Sequence, residues 1–155
     1  MANNSIAVQD KARKRYCALI DALFKKANIA DPEALYDNAI FVMHDITFTL
    51  LHTSVLSPNT VLLLADFGKP PPEKRDLVLQ RLMEANLYTY CDNEGPSFCI
   101  SPENGHVVLM SRLALDSATP ESTMFLMTSL VDMIQAWRQT HFLEETFPAT
   151  VSITR

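Results

Sequence analysis

The sequence predicts an α+β fold with element order α-β-β-β-α-β-β-α: a mostly antiparallel twisted sheet with flanking helices. Three observations predict it. Segments near both ends of the chain carry apolar residues at helical spacing. The stretch between them is rich in β-formers broken by turn residues. Asn104-Gly105 sits between two apolar runs, the strongest short-range hairpin signal. With 155 residues, 48% apolar and 20% charged, the chain is long enough for one domain with a hydrophobic core. A single domain is expected over 1–143, followed by a flexible tail over 144–155.

The first helix is expected from Val8 to about Ala27. Its apolar residues recur at Val8, Ala12, Tyr16, Leu19, Ile20, Leu23, Phe24 and Ala27, and Lys11, Lys14, Asp21 and Lys25 fall off that stripe. Residues 28–38 form a connector, with a short turn over 32–36. "AIFVMHDITFTLLHT" then splits at His44-Asp45 into strands over 39–44 and 46–53. Ser57-Pro58-Asn59 is a turn, and "TVLLLADF" is a third strand over 60–67. Ile40 and Val42 lie on one strand face and Phe41 and Met43 on the other; Val61 and Leu63 oppose Leu62 and Leu64. Apolar residues on both faces predict a sheet covered on both sides. Three prolines at 70–72 lead into a helix over 73–85, with Pro72 at its first position, Glu73 and Asp76 at its positive dipole end and Asn86 as its stop. Strands over 97–101 and 106–113 flank the loop Pro102-Glu103-Asn104-Gly105. Thr119 caps the last helix, Pro120 opens it, and it runs to about Thr140. Met124, Met127, Leu130, Val131, Ile134 and Trp137 form its apolar stripe.

The net charge of −5 gives no global electrostatic reason to bind nucleic acid, and Lys11, Arg13, Lys14 and Arg15 read as a solvated helix face. No apolar run reaches the roughly 18 residues of a membrane span, and the first residues lack a signal-peptide pattern, so a cytosolic chain is expected. Cys17, Cys91 and Cys99, with no CxxC spacing, read as reduced thiols; Cys91 and Cys99 could pair across a hairpin, the less expected state in the cytosol. Three dispersed glycines exclude a phosphate loop. Asp66-Phe67-Gly68 spells a kinase tripeptide without any other kinase element. His44-Asp45 lacks the further ligands that a metal site needs, and no cofactor is implied. The seven methionines read either as core filler or as an adaptable protein-binding surface.

Four segments in this order carry a resemblance: "VLLLADFG" (61–68), "LVLQRLMEANLY" (77–88), "PSFCISPENGHVVLMSRLAL" (96–115) and the closing helix with "MIQAWR" (133–138). Together they resemble the class I type III secretion chaperones, the Tir-chaperone family. Leu82-Met83-Glu84-Ala85-Asn86-Leu87 matches the family's Leu-Leu-x-x-Asn-Leu, with Met83 in place of the second leucine. The likeness spans about residues 8–140; the basic N-terminal cluster and the tail after Phe142 have no counterpart. The resemblance implies a homodimer in the bacterial cytoplasm, without enzymatic activity. It would bind the N-terminal segment of a secreted effector, keep it soluble and present it to the secretion ATPase. It implies a dimer interface on the second helix and the hairpin strands, here Leu79, Leu82, Met83, Phe98 and Ile100. Effector contacts are expected at Ile40, Val42, Phe48, Leu50 and Leu63. The alternatives are a regulatory protein-binding dimer and a small hydrolase using His44 or Cys99.

Overall fold

The structure is a computed structural model and describes residues 2–28, 36–52, 57–89 and 95–144. The element order is α1 (Ala2–Lys26), β1 (Ala39–Met43), β2 (Ile46–His52), β3 (Thr60–Gly68), α2 (Arg75–Thr89), β4 (Ser97–Ile100), β5 (Val107–Ala114) and α3 (Pro120–Thr140). It is the predicted order. The expected turn over 32–36, the proposed Cys91–Cys99 pairing and nearly all of the expected tail lie outside the described residues. Every strand pair is antiparallel, in the order β1-β2-β3-β5-β4, so β1 and β4 are the two edges.

Local chemistry sets the boundaries. His44 and Asp45 form a two-residue turn with φ of 50° and 61°, the primed geometry that matches strand twist. β3 ends in a bulge between Asp66 and Gly68, where Gly68 takes φ +98° and its N–H donates to Asp66 Oδ1. The bulge frees the Phe67 carbonyl from the ladder, and Arg138 Nε of α3 donates to it at 3.1 Å. Thr119 caps α3: its hydroxyl accepts from Ser122 N–H while Ser122 Oγ accepts from Thr119 N–H. A 3-10 turn, Pro72–Lys74, precedes α2.

α1 and α3 cover one face of the sheet. Tyr16 donates to the Leu50 carbonyl and stacks on His52, and Phe24 packs on Phe41. Trp137 meets Phe67 edge-to-face. The core stripe of α1 begins at Ala12; Val8, expected on it, is exposed. The exposed pairs Arg15–Asp116 and Lys26–Glu121 tie α1 to the segment around the start of α3.

The expectation of a sheet covered on both sides is corrected. Burial alternates along β1, β2 and β3 with period two, and every fully buried residue on them falls on the helix-covered face. Nor is Asn86 a helix stop: α2 continues to Thr89.

Candidate functional site

Two apolar surfaces are left uncovered among the described residues. The first is the outer face of the sheet. The register puts Ile40 and Val42 of β1, Leu51 of β2, Leu62 and Leu64 of β3 and Met110 of β5 on it, with Thr47 and Thr49 between. Val42 is 67% exposed and Ile40 47%; the rest are partly buried by one another. Charge sits at its ends. Arg112 is exposed at one. At the other, His106 Nδ1 lies 2.9 Å from both carboxylate oxygens of Asp66. Contiguous apolar faces are uncommon on the solvent surface of monomeric proteins, which makes this one a candidate contact surface.

The second is a groove where α2 meets the edge strand β4. It holds about 140 Å³ and is lined by Leu79, Leu82, Met83, Asn86, Phe98, Cys99 and Ile100. α2 buries Val78, Leu82 and Ala85 against the core. Leu79, Met83 and Leu87, four residues apart, form an adjacent stripe that it does not bury. Met83 is 74% exposed. Asn86 holds the two walls together through hydrogen bonds to both backbone groups of Phe98.

All five residues expected at the dimer interface therefore line one groove: Leu79, Leu82, Met83, Phe98 and Ile100. Leu82, nearly closed off, belongs more to the core than to the surface. The expected effector contacts divide. Ile40 and Val42 are exposed on the outer face, whereas Phe48, Leu50 and Leu63 have no exposed surface and are corrected to core positions. The register explains the error: Leu50 pairs with Leu63 and Phe48 with Ala65 on the face that α1 covers. The outer-face residues of these strands are Leu51, Leu62 and Leu64, none of them among the expected contacts. A signal was present on β2, where Ile46-Thr47-Phe48-Thr49-Leu50 alternates and the threonines mark the outer side.

The two residues named as alternatives for catalysis lie apart. His44 lies in the β1–β2 turn and Cys99 on β4, at opposite edges of the sheet. Burial pushes the Cys99 thiol above its ordinary range, which disfavours the nucleophilic thiolate. Burial also raises Cys17, against the lowering effect of Arg13. Among the described residues no group of histidine, cysteine or carboxylate side chains could hold a metal, and no helix is long and apolar enough to cross a membrane.

Comparison with known proteins gives one sequence-level match and several structural ones. Residues 19–138 match the model of the Tir chaperone protein (CesT) family. No curated protein shows a significant sequence match. The fold is similar to a chain of the ExsC–ExsE complex, with a TM-score of 0.63 and 15% identity over 88% of this chain and 98% of that one. It is similar to a chain of the HopA1–SchA chaperone–effector complex, with a TM-score of 0.60 and 13% identity over 83% and 97%. A third is in the structure of the Yersinia pestis type III secretion chaperone SycH with a stable fragment of YscM2, at 0.57 and 14% over 78% and 98%. At these identities the likeness is one of fold.

Proposed function

Because this chain belongs to the Tir chaperone protein (CesT) family, we propose that it is a type III secretion chaperone. It acts in the bacterial cytoplasm, without catalysis, as a homodimer that holds the N-terminal segment of a secreted effector in a soluble, secretion-competent form. One observation carries the reading: an apolar sheet face that α1 and α3 leave open.

The client docks on that face, with Leu62, Leu64 and Met110 as its floor and Ile40 and Val42 at its rim. β1 is an edge strand, so an extended client segment can also pair with its backbone, while side-chain pockets supply specificity. The second copy packs on the α2/β4 groove through Leu79, Met83, Phe98 and Ile100.

Affinity capture of the full-length chain from its native cell, followed by mass spectrometry, tests this. One secreted protein should dominate the capture and disappear from it with Leu64→Asp. Capture of no secreted protein, or a client retained by a folded Leu64→Asp variant, contradicts the reading.

A further inference from the structure

An edge strand presents alternate N–H and C=O groups outward, and these recruit strands from other chains unless something occupies them. On β4 Phe98 and Ile100 face outward, and the one in the middle of the edge is Phe98. Its N–H donates to Asn86 Oδ1 at 2.6 Å, and Asn86 Nδ2 donates to its carbonyl at 3.1 Å. The side-chain amide thus reproduces the paired hydrogen bonds that a neighbouring strand would make. Three residues further along α2, Thr89 Oγ1 donates to the Pro96 carbonyl at 2.9 Å, and Pro96 has no N–H to offer. The alternate positions Ser97 and Cys99 face β5, opposite Met110 and Val108.

We infer that Asn86 is an edge-closing residue: its amide stands in for a strand on β4, so that extended segments of other chains cannot add there and the α2/β4 face is met only by side chains. The placement argues for it. Asparagine is a poor helix former, yet Asn86 lies inside α2 rather than at its end. Both hydrogen-bonding ends of its amide are committed to a single residue of the neighbouring strand. The inference goes beyond the chaperone reading and holds whichever client is bound.

Two variants of the full-length chain separate this role from simple packing. N86L keeps the branched side-chain shape and loses both hydrogen bonds. N86D keeps an acceptor for the Phe98 N–H and loses the donor to its carbonyl. Amide hydrogen exchange at Phe98 is expected to rise at least about tenfold in N86L, the scale of one to two lost hydrogen bonds, and to stay near the parent rate in N86D. Light scattering over a concentration series should show N86L forming assemblies larger than the parent. Parent-like exchange at Phe98 in N86L, or faster exchange with an unchanged mass distribution at every concentration, overturns the inference. Should N86L not fold, N86D decides alone: a parent-like Phe98 rate supports the role and a tenfold rise refutes it.

Discussion

Met83 and Leu82 are neighbours on α2, yet substitution should damage different things. Met83 is 74% exposed and Leu82 only 3%. Fully burying a methionine side chain gains roughly 1.5–3 kcal/mol. Covering the exposed three quarters of Met83 at an interface is therefore worth about 1–2 kcal/mol per protomer. A two-fold interface contains the contact twice, giving about 2–4 kcal/mol per dimer. At about 1.4 kcal/mol per decade, Met83→Ala should weaken dimerisation roughly 30- to 1000-fold. Met83→Glu should lie at or beyond the upper end, because a carboxylate held in an apolar contact adds a desolvation penalty. Circular dichroism and the urea midpoint of the protomer should scarcely change. Leu82→Ala should do the reverse and cost about 2–5 kcal/mol of folding stability. Sedimentation equilibrium across a concentration series measures the first effect and urea titration the second. A dimer constant unchanged in Met83→Glu would refute the assignment of the groove to the second copy.

Three further outcomes are expected. Leu63→Asp should abolish cooperative unfolding, since it puts a charge at the centre of the core, while Leu64→Asp, one residue on, should keep the near-UV spectrum and lose client capture. Burial, partly offset by Arg13, pushes the Tyr16 phenol up to about 12 from its usual value near 10, so its contribution to stability is complete below pH 10 and falls away as the pH rises towards 12. An absorbance titration at alkaline pH should show one tyrosine ionising after the others and together with unfolding. Thr119→Ala removes the acceptor for the Ser122 N–H and should cost about 1 kcal/mol in urea unfolding, with no effect on dimer mass.

Sequence reasoning reached furthest where one local interaction decides the structure. Thr119-Pro120 marked the start of α3 to the residue, because cap and first-turn proline act without help from the rest of the chain. His44-Asp45 and Asn104-Gly105 marked the hairpins for the same reason. It failed where tertiary pairing decides. Leu62, Leu63 and Leu64 are chemically identical, and only the register with Leu50 turns the middle one inward. Asn86 looked like a helix stop because its partner, the β4 edge, cannot be seen from α2 alone. The apolar residues of α2 spread round the helix, so their spacing does not show which stripe meets the core. The groove residues came from the family resemblance rather than from periodicity, and the structure places all five together.

The division of labour between the surfaces follows from helices on one side only. α1 and α3 saturate the inner face, and the ties from Arg15 to Asp116 and Lys26 to Glu121 act within that layer. Being exposed, these pairs add little stability; their effect is on alignment. Neither helix can move over to shield the outer face without exposing Trp137, Tyr16 and Phe24, which are buried. Among the described residues the outer face therefore stays open, as the proposed client surface requires. That client need not compete with the second copy. β1 and β4 are the outermost strands of five, so at about 4.8 Å per strand their axes lie roughly 19 Å apart. The groove lies at the β4 edge and the most exposed outer-face residues at the β1 edge. A dimer built on the groove would leave each protomer's β1 edge and outer face free, so client binding and dimerisation are separable by mutation: Leu64→Asp should spare the dimer, and Met83→Glu should leave the client surface of each protomer in place.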